Sequence, residues 1–198
     1  RINQKKLDIA AKFGAETFNS NSEDHILSYA ESFSRNRGVD AVIITASSDS
    51  NEPIKTAAKI CRKKGRIVLV GVVGLDLDRS DFYEKEISFH VSCSYGPGRY
   101  DPSYEEDAND YPIGYVRWTE QRNFEAFLDM LSLKVIDVKP LISSRYEFLE
   151  ATKAYDELSS DPSLLGILLD YTSNVSERIK SSINLKQHIP INYLNKLI

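Results

Sequence analysis

Short apolar runs and amphipathic stretches alternate along the first two thirds of the chain. The runs at 41–45 and 66–70 are continuous and rich in β-branched residues, which is typical of strands buried on both faces. Three stretches with apolar residues at helical spacing each end at a glycine: 5–13, 23–37 and 52–64. Strand, helix and strand in this order form a βαβ unit, so the pattern predicts an α/β fold with a largely parallel sheet.

The remaining chain gives weaker patterns. Further strands are predicted at 16–18, 87–95 and 164–171, and further helices at 124–131 and 149–158. Residues 96–120 lack periodicity and are rich in Tyr, so they are predicted to form a long ordered loop.

Composition excludes several classes of protein. Of 198 residues, 41% are hydrophobic and 27% are charged, which is ordinary for a globular protein and too apolar for a disordered one. The net charge of −4 provides no basic footprint for nucleic acid. No apolar run reaches the roughly 18–20 residues of a membrane span, and no leader is visible, so we expect no membrane partner. Two cysteines, Cys61 and Cys93, make no disulfide scaffold, and a reducing cytoplasm is predicted.

Small residues follow the two central strands. Residues 45–48 and 71–74 would let a flat ligand approach the backbone, although the same residues also suit tight turns, which spacing alone favours. Gly71 and Gly74 do not open a helix, so they do not form a G-x-G-x-x-G phosphate loop. His90 and Cys93 are too few ligands for zinc. We therefore predict no catalytic residue and no metal ligand in this chain.

The aromatic loop has two interpretations. In the first, residues 95–118 line a substrate cleft, where aromatic faces stack on sugars and Arg99 and Tyr100 contact the substrate. Arg99 and Arg117 would then bind an anionic group such as a sugar phosphate or a carboxylate. In the second, the loop is a packed Ω-loop that covers apolar surface. We expect the first role for its first half and the second for the segment near Trp118.

The chain resembles a known family. GVDAVIITA at 38–46 and RKKGRIVLVG at 62–71 are similar to the cofactor domain of zinc-type medium-chain alcohol dehydrogenases, and 2–15 resembles the helix after that domain's second strand. The resemblance covers about residues 1–171. It implies a Rossmann-like, doubly wound sheet truncated at its N-terminal side, NAD or NADP as cofactor, and zinc in a longer parent protein whose ligands lie upstream.

The resemblance also assigns residues to the cofactor: Arg1, Lys6, Thr45, Ala46, Gly71, Val72, Val73 and Ser94. Lys6 would contact the adenosine ribose, segments 45–46 and 71–73 would flank the nicotinamide riboside, and Ser94 would lie near the nicotinamide. Arg1 stands where the family usually has an acidic residue. An arginine there could pair with the 2′-phosphate of NADP, whereas the family's usual acidic residue binds the adenosine ribose. Both NAD and NADP therefore remain open as the cofactor.

Two later segments, 92–102 and 111–120, narrow the resemblance. They are similar to bacterial two-domain oxidoreductases whose second half resembles glucose–fructose oxidoreductase and inositol dehydrogenase. We therefore expect a partial dinucleotide-binding domain at 1–140, a return segment to the catalytic domain at 141–171, and a linker or the start of a further domain at 172–198.

These observations predict a fragment of an oxidoreductase that transfers a hydride between NAD(P) and a hydroxyl or carbonyl substrate. The fragment alone is expected to be inactive and to bind the cofactor weakly or not at all, because it lacks the phosphate loop. A homodimer is expected through the strand at 87–95, since the family often pairs that edge. The alternative is a non-enzymatic, Rossmann-like binding module.

Overall fold

The structure is a computed structural model that describes residues 3–20 and 22–171. Its helices are α1 Gln4–Lys12, α2 Glu23–Phe33, α3 Glu52–Ile60, α4 Arg79–Tyr83, α5 Pro102–Glu105, α6 Glu120–Ser132 and α7 Ala151–Ser160. Its strands are β1 Val39–Ile44, β2 Cys61–Leu69, β3 Ser88–Val91, β4 Ile142–Glu147 and β5 Gly166–Asp170. The chain divides into two compact units between Pro140 and Leu141.

Both sheets are parallel, which confirms the predicted α/β class. In the first unit the strand order is β1-β2-β3, and Val68 in the central strand pairs with Ile43 on one side and His90 on the other. In the second unit β4 pairs with β5, with Tyr146 opposite Leu169. Helix α7 contacts both strands of that second sheet.

The core of the first unit lies between β1, β2 and α3. Ile54 and Ile67 are fully buried, and Cys61 and Ala58 are each 1% exposed. Phe82 and Phe89 pack against this cluster from α4 and β3. The two continuous apolar runs therefore form neighbouring strands, as their pattern predicts. Their predicted burial on both faces is wrong: Ile44, Ile67 and Leu69 face the core, whereas Ile43 is 67% exposed.

The boundary between α3 and β2 differs from the prediction. Gly65 does not end the helix, because α3 ends at Ile60 and β2 begins at Cys61. Residues 62–65 form an irregularity in the register with β1, and Lys64 has φ 58°. Gly65 is needed for a different reason: a Cβ there would lie 2.4 Å from the Cys61 Sγ.

Other elements also differ from the sequence prediction. Residues 16–18 form no strand; instead Phe18 stacks on Tyr29 of α2 at 4.2 Å between ring centroids. Strand β3 is shorter than the predicted 87–95, and β4 was not predicted. One of the three β4 positions that turn inward, Ser144, is small and polar, which weakens the apolar alternation.

Two predictions concern residues outside the described range: the cofactor contact of Arg1 and the linker at 172–198. Within residues 3–20 and 22–171, no helix is long and apolar enough to cross a membrane.

Candidate functional site

The carboxyl ends of β1 and β2 are joined by backbone hydrogen bonds. Gly71 N donates to Ile44 O at 2.9 Å, Val72 N donates to Ala46 O at 3.0 Å, and Ser48 N donates to Val72 O at 2.8 Å. Segments 45–48 and 70–73 therefore lie side by side. Together with residues 92–94 after β3, we call them the carboxyl edge. Ligands of open parallel sheets bind at this end of the strands.

Gly71 is required by the packing of this edge. A Cβ at Gly71 would lie 2.0 Å from Ala46 O, a contact with backbone that no side-chain movement relieves. The tight-turn interpretation of this glycine thus has a direct structural basis. It does not compete with ligand binding, since the same close approach brings the two exposed segments together.

The predicted residues of the carboxyl edge differ in exposure. Thr45, Ala46 and Val72 are exposed, and Val72 reaches 73%. Val73 is only 8% exposed and belongs to the core cluster. Any ligand contact of Val73 would therefore involve its backbone rather than its side chain.

Ser94 lies at the same end of the sheet. Ser92 N donates to Leu69 O at 2.8 Å, which continues the pairing of β2 with β3 and directs the chain beyond it. Ser94 is exposed and has φ 42°, in the left-handed region that a non-glycine residue rarely adopts. Backbone of this kind occurs preferentially at functional sites.

Lys6 is distant in sequence from these strand ends and lies in the first turn of α1. Asn3 begins this helix by accepting a hydrogen bond from Lys5 N through its side chain at 3.0 Å. The Lys6 side chain is exposed and forms no hydrogen bond or ion pair with any described residue. Its ammonium group is therefore available to a ligand, whereas Arg1 is not described.

Arg99 is already paired. Its guanidinium donates to Glu105 at 2.5 Å and lies 4.3 Å from the centre of the Tyr100 ring. The Tyr95 hydroxyl donates to the same carboxylate. These hydrogen bonds, from Tyr95 and from Arg99, lower the pKa of Glu105. Tyr100 itself is 74% exposed, so the predicted substrate residues combine an occupied cation with an open aromatic face.

The second half of the aromatic loop depends on a residue that the sequence did not single out. Arg122 donates to the backbone oxygens of Val116 and Tyr111 and to the Asp110 carboxylate, and its side chain is only 13% exposed. Trp118 is 49% exposed, so Arg122 is the more buried residue of the two. The sequence signal was weak, because an arginine in the first turn of α6 looks like an ordinary surface residue.

The described residues do not fit a zinc site. Within 3–20 and 22–171, no group of three or more His, Cys, Asp and Glu side chains could hold a metal ion. His90 and Cys93 are both exposed. Zinc needs four ligands in a structural site and three protein ligands in a catalytic one.

Comparison with solved structures shows the same fold. The chain superposes on 2R,3R-butanediol dehydrogenase from Bacillus subtilis with a TM-score of 0.63 at 14% identity, over 86% of this chain and 42% of that one. A short chain alcohol dehydrogenase from E. coli CFT073, complexed with NADH, gives 0.59 at 20% identity, over 84% and 42%. Galactitol-1-phosphate dehydrogenase from Escherichia coli gives 0.57 at 22% identity, over 83% and 44%.

The chain thus spans less than half the length of these dehydrogenases. A search of curated proteins found no significant match. The sequence model of the zinc-binding dehydrogenases, however, matches residues 1–108, more than half of the chain. This protein therefore belongs to the zinc-binding dehydrogenase family.

Proposed function

We propose that the carboxyl edge binds the nicotinamide end of NAD or NADP, in an oxidoreductase that acts on a hydroxyl or carbonyl group. One observation supports this most directly: three parallel strands end at one edge with small, exposed residues there. One structural neighbour is complexed with NADH. When bound, the cofactor would supply the hydride chemistry, and the protein would orient it.

Each residue of the edge has a role in this proposal. Thr45, Ala46 and Val72 flank the nicotinamide riboside, and Gly71 and the Val73 backbone keep the two segments close together. Ser94 lies beside the nicotinamide ring. At the other end of the cofactor, the Lys6 ammonium, which has no partner among the described residues, meets the adenosine ribose. Arg1 would decide between a 2′-hydroxyl and a 2′-phosphate.

The substrate proposal rests on the first half of the aromatic loop. Tyr100 offers an exposed ring for stacking on a sugar, and Arg99 offers a forked donor for an anionic group. Because Glu105 already occupies Arg99, a phosphate or carboxylate on the substrate must replace this internal carboxylate. Small-molecule alcohols and sugar derivatives are therefore the proposed substrates, and one neighbour is named for a sugar alcohol phosphate.

Zinc is not used in this proposal, since the described residues do not fit it. That a longer protein binds zinc through other residues stays a prediction from the family resemblance. A second half similar to glucose–fructose oxidoreductase also stays a prediction from the family resemblance.

We further propose that residues 1–140 are the partial cofactor domain and that 141–171 return to the catalytic domain.

A homodimer through β3 belongs to the same proposal. Strand β3 lies at the edge of its sheet, paired with β2 on one side only, and Val91 is 50% exposed. Unpaired strand edges favour pairing with another chain. Sedimentation should detect the dimer at micromolar concentration, and a monomer at high micromolar concentration would refute it.

A cytoplasmic location is proposed because Cys61 and Cys93 are unpaired.

Ligand-observed NMR with NADH at millimolar concentration tests the cofactor edge. Ala46→Glu places a carboxylate beside the proposed cofactor path, and we expect it to weaken NADH binding about threefold or more, by charge repulsion. Ala15→Glu is the matched control, because Ala15 is also exposed and lies outside the edge. Equal signals from both variants would contradict the site.

Calorimetry on the same chain provides a separate check of the affinity. The sequence contains no G-x-G-x-x-G, so we expect NAD(H) and NADP(H) to bind more weakly than micromolar. A micromolar dissociation constant would show that the chain binds the diphosphate without that loop.

A further inference from the structure

A concave surface lies at the end of the first sheet opposite the carboxyl edge. A cavity of about 640 Å³ is bounded by α2, the loop before β1, the end of α3, the start of β2 and Lys85. We call it the amino-edge cavity, because the strands begin there. Its volume is within the roughly 300–1,000 Å³ range of small-molecule sites.

Cations dominate the charged residues of the amino-edge cavity: Arg37, Lys59, Arg62, Lys63 and Lys85. Glu31 is the acidic residue of the lining. Glu23 and Asp40 neutralise two of the cations from outside it. Five cations against these three carboxylates leave two positive charges, in a protein whose net charge is −4. The cavity is therefore a local positive site on an acidic molecule.

Three of the five cations have internal partners. Lys85 Nζ donates to the backbone oxygens of Ala58, Lys59 and Cys61 at 2.7–3.0 Å, which satisfies the end of α3. Lys59 pairs with a glutamate at 2.6 Å, and Arg62 pairs with an aspartate at the same distance.

Arg37 and Lys63 have no such partner. Both side chains lack an ion pair or a hydrogen bond to any described residue, and both line the cavity. The backbone at Arg37 is fixed by two hydrogen bonds: Arg37 N donates to Ser34 O at 3.2 Å, and Gly38 N donates to Ser34 Oγ at 3.0 Å. Gly38 also packs closely on Arg62, where a Cβ would lie 2.8 Å from the backbone N. Two unpaired cations and a third with spare donors thus border one cavity.

We infer that the amino-edge cavity binds the phosphate or diphosphate group of a small molecule. A phosphate group carries about −1.5 to −2 charges at pH 7, which matches the two net positive charges of the cavity. Arg37 and Arg62 provide forked guanidinium donors, and Lys63 provides a compact ammonium. Glu31 is the carboxylate of the lining, and it opposes an anion together with the negative carboxyl-terminal ends of α2 and α3, so these groups limit the affinity.

This site is separate from the carboxyl edge. The six residues of β1 span roughly 17 Å at about 3.3 Å per residue, so one diphosphate cannot contact both ends of the strand. The inference therefore does not depend on the proposed cofactor site, and either can fail alone.

Titration of the whole chain with inorganic pyrophosphate, at constant ionic strength set with chloride, tests the inference. We expect amide NMR shifts at Arg37, Gly38 and Lys63, and none at Ala46 or Val72. Inorganic phosphate and a phosphate monoester, titrated separately, show whether one phosphate group is enough and whether an esterified one is accepted.

Variants of the lining should change the affinity for pyrophosphate in opposite directions. Arg37→Ala and Lys63→Ala should each weaken pyrophosphate binding about threefold, the order expected for one partly exposed charge contact. Glu31→Gln should tighten it about twofold, because it removes the opposing carboxylate. Controls are Lys139→Ala and Glu106→Gln, which make the same charge changes outside the cavity lining. No binding at millimolar pyrophosphate, or equal effects from the controls, would overturn the inference.

Discussion

The strand core and the aromatic loop are stabilised in different ways. The strand core, formed by β1, β2 and α3, buries apolar side chains such as Ile54 and Ile67 completely. The aromatic loop, residues 95–118, leaves Tyr100 and Tyr115 exposed at 74% and 91%, and it is fixed by hydrogen bonds and ion pairs. The hydrophobic effect that stabilises the core is non-directional. Hydrogen bonds and ion pairs fix the geometry of the loop, but each contributes only a small net free energy to its stability. The loop should therefore open more readily than the core.

Ile54→Ala should have the largest effect. Ile54 is 0% exposed between the strands and α3, so its truncation leaves a cavity and lowers the free energy of unfolding by about 2–5 kcal/mol. Ile54→Val, the matched control, should cost about 0.5–1.5 kcal/mol. Urea denaturation followed by far-UV circular dichroism measures both. A loss near 1 kcal/mol or less for the alanine variant would show that the core is not close-packed there.

Gly71→Ala should come next. The added Cβ would lie 2.0 Å from Ala46 O, so the two segments of the carboxyl edge must separate. We expect a loss of about 1–3 kcal/mol in unfolding free energy, the range for overpacking. Gly114→Ala is the control, because a Cβ there meets no atom within 4 Å. Equal stabilities would contradict the close approach of the strands.

Arg122→Ala should destabilise the aromatic loop and leave the stability of the strand core unchanged. Its loss leaves two backbone oxygens and Asp110 without their donor, which should cost about 1–3 kcal/mol locally. Trp118 is the single tryptophan of the sequence and lies in the loop, so its fluorescence reports the loop. We expect the fluorescence midpoint in urea to fall while the circular dichroism midpoint stays. Arg117→Ala, which removes only a stacked surface cation, is the control. Equal shifts of the two probes would mean that loop and core unfold together.

Glu105→Gln should have the smallest effect, and it should depend on pH. Hydrogen bonds from Tyr95 and Arg99 lower the pKa of Glu105, so its contribution is present above the unfolded value of about 4.3. The contribution is lost as the pH falls through the lower, folded pKa. The variant's fluorescence midpoint should therefore lie below the wild-type midpoint at pH 7, and the two should converge in acid. A difference that persists below the folded pKa would contradict this account.

The core was predictable from sequence because its signal is local. The continuous apolar runs at 41–45 and 66–70 predict two neighbouring parallel strands, and the structure has them. The burial on both faces that the same runs predict is wrong, because Ile43 is 67% exposed and Val70 is 55% exposed. The start of β2 was not predictable in the same way. Residues 62–64 are basic and look like a helix end, whereas burial of Cys61 and the close approach at Gly65 depend on the tertiary structure.

The site was predictable only in part. Small residues after two strands indicated the carboxyl edge, because parallel strands end together. The pairing of Arg99 with Glu105 was not predicted, since a contact six residues apart in a loop has no periodic signal. Arg122 was missed for a related reason: its acceptors are backbone oxygens, which every residue carries and which no sequence pattern reveals.

Residue-resolved NMR of the whole chain with NADH tests the central claim most directly. The amides of Thr45, Ala46, Val72 and Ser94 are spread over three strand ends, so a ligand that shifts all four must lie across the carboxyl edge. We predict that NADH at millimolar concentration shifts these four amides more than any in α6 or α7. Shifts confined to other regions, or no shift at these four amides, would contradict the proposed cofactor site.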